Sequence, residues 1–539
     1  MKPETFTHPT LGPLIGVARG DDIVQFRGIP YAEIPARFRQ STLRSSLPQG
    51  PFDARHPGPI CPQTTLPFPD FWSGPLAADG IELSKPRPEE FACLNLNITA
   101  PRVALSGDHN VPVLVYIHGG AFVVGSTSVQ VAGREITDGT NLVRSSIALG
   151  APIIVVSINY RVGPLGFLAS DELVAYNRQH NEPAGNYGLH DQRQALEWVA
   201  RSIAGFGGDP ENVTIEGGSA GGASCHFQSL FPNRKFKRAI LSSGTCIGLG
   251  AMSLDWHQKT FDVFKRKFVG ETGIVEALQA VPADVFTNEH VGVFYNPYVD
   301  GDWIPERTVS ALRNIQHPPD FMIGSCAFEQ DATLTVLGAP SPDPSINEDE
   351  CIRMRMLSLL STLGLTVKPE SVLSPPILQT YNIADTVDTP SKQLSAWAEF
   401  VAELLFRIPP LHVALNHAGS KLYLYDFQAT NPFSGLGLGY KKANHAISDI
   451  FLFDPAGDLV EEKHRAEYGG GVRHLQEEWI KFCYGRLDWE PFDAADQPRL
   501  GPVYTFKNNG KGKKHEKMSD VVGPETLRRW KAVLAVSER

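Results

Sequence analysis

The residues best suited to chemistry in this chain gather around one serine. In Asn212-Val213-Thr214-Ile215-Glu216-Gly217-Gly218-Ser219-Ala220-Gly221-Gly222, a strand-like run meets glycines, a serine and then a helix-compatible stretch. Gly217 and Gly221 bracket Ser219 in a G-x-S-x-G pattern. Such a turn from strand to helix leaves no room for side chains beside the serine and exposes its hydroxyl. The helix that follows directs its free N–H groups and dipole toward the place where an oxyanion would develop. That combination suits acyl transfer. Glycine and serine also crowd ordinary turns, so the rest of the chain must supply the partners.

A serine hydroxyl is a poor nucleophile at neutral pH and needs a general base in contact and donors for the oxyanion. Residues 113–117 form a continuous apolar run that ends in His118-Gly119-Gly120-Ala121. Gly119 and Gly120 can turn their N–H groups toward a carbonyl oxygen, with the N–H of Ala220 as a third donor. A plain Gly-Gly turn is the alternative, disfavoured by two matching glycine turns at two strand ends. In folds built on this elbow, the acid and then the histidine follow the serine along the chain. The downstream histidines include His290, His317, His412, His417, His445, His464 and His474. His445 stands out because it lies in a polar loop, 441–449, beyond the last strand-like run; His412 and His417 fall on a helical stretch and read as packing or surface residues. For the acid, Glu329 and Asp331 both follow the strand-like 321–324 segment, and position alone leaves the choice open.

The remaining composition narrows the partners. The chain has 539 residues, 42% hydrophobic and 20% charged, with a formal charge of -10. This is enough apolar material for a large core, and the acidic balance argues against nucleic acid or an anionic membrane as the main partner. The one basic run, 507–517, reads as a solvated loop. The N-terminal residues lack the apolar core of a signal peptide, and no apolar run reaches transmembrane length, so the expected location is cytoplasmic. Seven cysteines in this length do not make a disulfide scaffold, and no Cys-x-x-Cys or His-x-x-x-His spacing appears. No metal or other cofactor is expected.

The elements that must position the serine follow from hydrophobic pattern. Apolar runs at 113–117, 153–158, 213–215, 238–244, 321–324 and 422–425 read as buried strands, and 191–204 repeats apolar residues at helical spacing. Alternation of strands and helices implies a mainly parallel sheet with ligands at the strand C-termini. The N-terminal stretch to residue 32 suggests a small antiparallel sheet, 422–425 the last sheet strand, and 479–484 and 527–536 closing helices. Residues 252–318 and 335–415 do not extend the strand series and read as helical insertions capping the site of a single 1–539 domain.

Several motifs together resemble the type-B carboxylesterase and lipase family that includes the cholinesterases. They are Phe26-Arg27-Gly28-Ile29-Pro30-Tyr31-Ala32, Tyr116-Ile117-His118-Gly119-Gly120, Asn159-Tyr160-Arg161, Gly185-Asn186-Tyr187-Gly188-Leu189-His190-Asp191-Gln192, Phe206-Gly207-Gly208-Asp209-Pro210 and Ser219-Ala220-Gly221-Gly222. The resemblance covers nearly the whole chain and implies an α/β-hydrolase fold. It also implies a triad of Ser219, Glu329 and His445, an oxyanion hole of Gly119, Gly120 and Ala220, and a supporting role for Ser243. Cys61 and Cys93 resemble the pair that closes the family's lid loop, here 62–92, which implies a possible disulfide between them; an intracellular compartment would instead keep them reduced. Cys225 reads as a packing residue. Three positions depart from the family pattern: Gly218 where a glutamate is usual, Glu216 where an aromatic is usual, and Gln330 where a glycine is usual.

The expected activity is serine-dependent hydrolysis of carboxylic esters. The rivals are acyl transfer to an alcohol from the same site and a non-catalytic interaction module of the cholinesterase-like kind; the latter is disfavoured because serine and histidine are both present. In cholinesterases an aromatic residue before the second lid cysteine binds a quaternary cation. The corresponding stretch here, Glu82-Leu83-Ser84-Lys85-Pro86-Arg87, offers no aromatic and a net positive charge, while Phe68, Phe71 and Trp72 can cover an apolar group. Neutral esters with apolar or aromatic parts should therefore be preferred. In steady-state assays, kcat/KM for acetylcholine should fall below that for an uncharged ester of equal size; the reverse order removes this substrate reading.

Overall fold

The computed structural model describes residues 2–537 except 65–85, 108–109, 132, 269–272, 290–294, 305–314, 339–345, 363–373, 384–389, 434–438 and 497–498. The lid aromatics Phe68, Phe71 and Trp72 and the 82–85 stretch lie outside the described residues, as does His290.

Among the described residues, one thirteen-stranded sheet carries the fold. Its main strands are β1 (Pro3–His8), β2 (Gly12–Ala18), β3 (Ile23–Pro30), β4 (Asn95–Pro101), β5 (Val111–Ile117), β6 (Ile154–Ile158), β7 (Gly208–Gly218), β8 (Arg238–Ser242), β9 (Asp320–Cys326), β10 (Leu422–Phe427), β11 (Val503–Phe506) and β12 (Lys513–His515). They lie in the order β1-β2-β3-β4-β6-β5-β7-β8-β9-β10-β11-β12. From β6 to β11 every neighbouring pair is parallel, and antiparallel strands finish both edges. This is the mainly parallel sheet that the alternation of elements implies.

The parallel strands are buried on both faces, and their period of two sorts side chains into two cores. Val113, Val115, Ile117, Ile215, Ala239, Leu241, Phe321 and Ile323 enter one core. Leu114, Tyr116, Ile240, Met322, Tyr423 and Tyr425 enter the other. The chain passes from β5 outward to β6, then back across to β7 and on to β8, so the winding direction reverses between β5 and β7. A crevice opens at the carboxyl ends of strands where the winding reverses. His118-Gly119 leaves β5 there and Ser219 leaves β7.

The motifs outside the serine turn hold this end of the sheet together. Arg161 and Asp191, both fully buried, form a two-point pair through Nε to Oδ2 at 2.7 Å and Nη2 to Oδ1 at 2.8 Å. Ser41 Oγ donates to the same Asp191 at 2.6 Å, and Arg161 Nη1 to the Arg39 carbonyl at 2.8 Å. Removing one member of such a pair strands a buried charge, a loss of about 3–5 kcal/mol. Asn159 accepts the Thr127 N–H at 2.8 Å, while Tyr31 donates to the Asn159 carbonyl at 2.6 Å.

Four sequence expectations change. The N-terminal antiparallel strands are not a separate sheet: β3 pairs with β4, and β4 with β6, joining them to the main sheet. The strand expected at 422–425 is not the last, because β11 pairs parallel to it and β12 adds an antiparallel edge. The basic run at 507–517 is therefore not all loop; β12 lies in it, with lysines on an edge strand as protection against further pairing. The helix expected from 191 starts four residues earlier, as Tyr187–Ser202, behind Asn186 in a left-handed conformation. Closing helices span Glu462–Cys483 and Pro524–Ser537. No helix among the described residues is long and apolar enough to cross a membrane, and no cluster of potential metal ligands occurs among them.

Cys61 and Cys93 are buried, their thiols donating to the carbonyls of Pro62 at 3.4 Å and Glu90 at 3.3 Å, and all seven cysteines are free. Thiol titration of the denatured protein should count seven reactive groups; five would mean that one pair is oxidised.

Candidate active site

The serine turn is built by close backbone approach. Ser219 has φ 58° and ψ -124°, a region L-residues avoid and which persists only where the surroundings impose it. Its N–H donates to the Ser242 carbonyl at 2.8 Å, and its carbonyl accepts the Ala223 N–H at 3.0 Å. The following helix, Ala220–Ser229, is buried along its whole length. A side chain at Gly119 would lie 2.6 Å from the Gly218 carbonyl and 3.2 Å from Ser219 Cβ, and one at Gly221 would overlap the Ile117 carbonyl. The two glycine turns thus pack directly on each other, and Ser219, Gly119 and Gly120 keep partial solvent exposure.

The Gly119-Gly120 turn is fixed from several sides. Gly120 has φ 114°, and its carbonyl accepts the N–H groups of Val123 and Val124 at 2.9 and 3.0 Å. The His118 ring stacks on Tyr160 at 4.2 Å, and the Tyr160 hydroxyl donates to the His118 carbonyl at 2.8 Å. Burial pushes the His118 pKa down to about 4, so this ring is neutral and serves as packing rather than as a base.

His445 lies in a loop ahead of the helix Ile447–Phe453, and Glu329 just before the helix Gln330–Leu337. Glu329 is 1% exposed and His445 5%. Glu329 Oε2 stands 2.5 Å from His445 Nδ1. An ionised carboxylate only accepts, so Nδ1 carries the proton and Nε2 is left as the acceptor. Glu329 Oε1 accepts the Cys326 N–H at 2.8 Å, a donor shared with Ser243 Oγ at 3.2 Å. Ser243 thus supports the acid loop through the backbone. Burial opposes a charged imidazole, yet Glu329, with Asp331 and Asp449 around it, holds the His445 pKa above 6.5. Of the two acids left open by position, Glu329 meets the ring; Asp331 Oδ1 instead accepts the His445 main-chain N–H at 3.0 Å.

Sequence reasoning missed two neighbours of this group. Phe406, in a π-helical turn over Glu403–Arg407, lies 4.4 Å from the His445 ring; the π-turn carries no sequence signal of its own. Asp449 is buried beside the elbow and accepts the Tyr116 hydroxyl at 2.9 Å. A side chain at Gly218 would meet the Asp449 carboxylate, whose Oδ2 lies against the place where the Cβ would stand, so that carboxylate would have to shift. Glu216, on the same face of β7 two residues earlier, accepts the Ser242 hydroxyl at 3.3 Å. Burial and the neighbouring Asp449 push the Glu216 carboxyl well above 4.5, and burial lifts Asp449 to about 6. The residue pair that departs from the family pattern is thus one arrangement: an acid at 216, no side chain at 218, and Asp449 in the space between.

A strand-turn-helix serine, two glycine turns and a buried carboxylate–imidazole pair at the carboxyl end of a parallel sheet define an α/β-hydrolase. The carboxylesterase family model matches residues 5–460. A para-nitrobenzyl esterase of Bacillus subtilis is 28% identical over 550 residues, covering 95% of this chain and 99% of the relative. A bile salt-activated lipase of Bos taurus is 31% identical over 459 residues, covering 80% of this chain and 70% of the relative. A solved PNB esterase superposes with a TM-score of 0.71 at 24% identity, over 98% of this chain and 99% of that one. The chain belongs to the carboxylesterase family, and its class is that of serine hydrolases acting on carboxylic esters.

Gly218→Ala should lower stability by roughly 1–3 kcal/mol through overpacking against Asp449. Combining it with Asp449→Ala should return part of that loss, a coupling that denaturant unfolding of the four variants would measure. Additive effects would mean that position 218 is glycine for another reason.

Proposed function

We propose that this enzyme hydrolyses neutral, small-molecule esters with apolar or aromatic parts through an acyl-enzyme on Ser219. His445 Nε2 takes the Ser219 proton as Oγ attacks the ester carbonyl, and the carbonyl electrons move onto oxygen. The N–H groups of Gly119, Gly120 and Ala220 receive that oxyanion. The tetrahedral intermediate collapses by breaking the bond to the alcohol oxygen, which takes the proton from His445. Water then repeats the sequence, its proton passing to His445 and on to the Ser219 oxygen as the acid leaves. Glu329 holds the imidazole in the Nδ1-protonated tautomer and stabilises its charged form.

The observation that carries this reading is the 2.5 Å contact between buried Glu329 and His445 beside a strained serine turn. The packing of Gly119 on Ser219 supports the oxyanion assignment. Phe406 against His445 supports reading 335–415 as a wall of the site and an apolar surface for the ester. The para-nitrobenzyl esterase and bile salt-activated lipase relatives support aromatic and lipid-like esters respectively. A cytoplasmic location, where a reducing environment would keep Cys61 and Cys93 as thiols, is part of this proposal.

Ser219→Ala should lower kcat by more than about a thousandfold while leaving the melting temperature nearly unchanged, since the hydroxyl supplies chemistry rather than core volume. Intact-mass analysis with an organophosphonate ester should show one adduct on the parent and none on the variant. An adduct that persists on Ser219→Ala assigns the nucleophile elsewhere.

A further inference from the structure

We propose that Asp331 is a positioning residue for His445, anchoring its main chain and adding a second negative charge beside the Glu329 pair. This rests on the Ser219–Glu329–His445 reading. Glu329 orients the imidazole ring, but a ring can be no better placed than the backbone that carries it. That backbone lies in a loop, just before Ala446 in a left-handed conformation at φ 61°. The His445 N–H finds its acceptor in Asp331 Oδ1 at 3.0 Å. Asp331 itself is 3% exposed and sits in the first turn of the helix Gln330–Leu337, two residues from Glu329. One short segment therefore grips the histidine at two points, ring and main chain.

The charged and titratable surroundings come from several elements. Glu329 and Asp331 face His445 from the loop and helix after β9, and Asp449 from the helix Ile447–Phe453. Glu216 on β7 and the Tyr116 hydroxyl on β5 face Asp449 in turn, and Cys326 faces Glu329. The uncharged Asn444 amide donates to the His445 carbonyl at 3.2 Å. Arg407, on the turn that carries Phe406, is engaged by Asp426 at 2.9 Å and by the Ala327 carbonyl. Burial lifts the Asp331 carboxyl to about 6. Above that pH it is ionised and favours the imidazolium. Losing its charge must lower the His445 pKa, so that the base stays neutral, and active, to lower pH.

Two substitutions separate the two functions. Asp331→Asn keeps an oxygen acceptor for the His445 N–H but removes the charge; Asp331→Ala removes both. With Asn, the acid limb of the kcat/KM profile should move down by roughly half to one pH unit, with KM within about twofold. With Ala, the same shift should come with a kcat loss on the order of tenfold or more, because the ring is no longer held in register. The imidazole titration of His445, followed by NMR in the resting enzyme, should move by the same amount as the acid limb. A folded Asn variant with unchanged limb and unchanged imidazole titration overturns the proposal. So does a pair of variants that lose only thermal stability. If Ser219→Ala kept its turnover, the catalytic reading would fall instead, while the NMR titration would still report whether Asp331 and His445 are coupled.

Discussion

A carboxylate and an imidazole buried together tolerate each other only as a pair. Taken out of water alone, the Glu329 charge would cost several kcal/mol, and the charged form of His445 would be suppressed. Placed 2.5 Å apart they compensate, and the histidine pKa ends above 6.5 despite burial. The rest of the site is arranged to keep that pair in place. The Cys326 N–H holds Glu329, Asp331 holds the histidine main chain, and Phe406 packs against the ring. A base that is oriented by its neighbours and readily charged is what a serine with an ordinary hydroxyl requires.

The second constraint is steric. An oxyanion site made from backbone N–H groups needs two turns to touch without side chains between them, and the sheet reverses its winding between β5 and β7 where those turns emerge. The contact of Gly119 with Ser219 and the overlap that any side chain at Gly221 would make follow from that geometry. The buried Arg161–Asp191 pair and the stacking of His118 on Tyr160 fix the same end of the sheet from below and beside. Chemistry and scaffold are therefore the same set of motifs, with the scaffold motifs lying outside the serine turn.

What is legible in sequence is what is contiguous. The serine turn, the His118-Gly119-Gly120 turn and the apolar strands are each written in a few adjacent residues, and each lies where its pattern places it. The choice between Glu329 and Asp331 was not legible from position, because both leave the same strand end; it came from family resemblance, and only side-chain direction separates them in space. Gly218 looked like a missing carboxylate. In three dimensions it is the space taken by Asp449, more than two hundred residues later, which no local pattern could reveal. β11 and β12 are not legible for a different reason: they are short edge-side strands, one of them lysine-rich, and their pairing comes from neighbours rather than from hydrophobic period. The N-terminal strands were legible as antiparallel but not as part of the main sheet, since β4, which joins them, binds on both sides.

The central claim is that Glu329, through its bond to His445, sets the tautomer and charge of the base. The most direct measurement is kcat for Glu329→Gln, a nearly isosteric change that removes the charge while preserving volume. The account predicts a loss on the order of a thousandfold to ten-thousandfold, as expected when the imidazole loses its orienting carboxylate, with a melting temperature close to that of the parent. A variant that folds normally and loses less than about tenfold in kcat would contradict it, because the base would then be oriented by something other than Glu329.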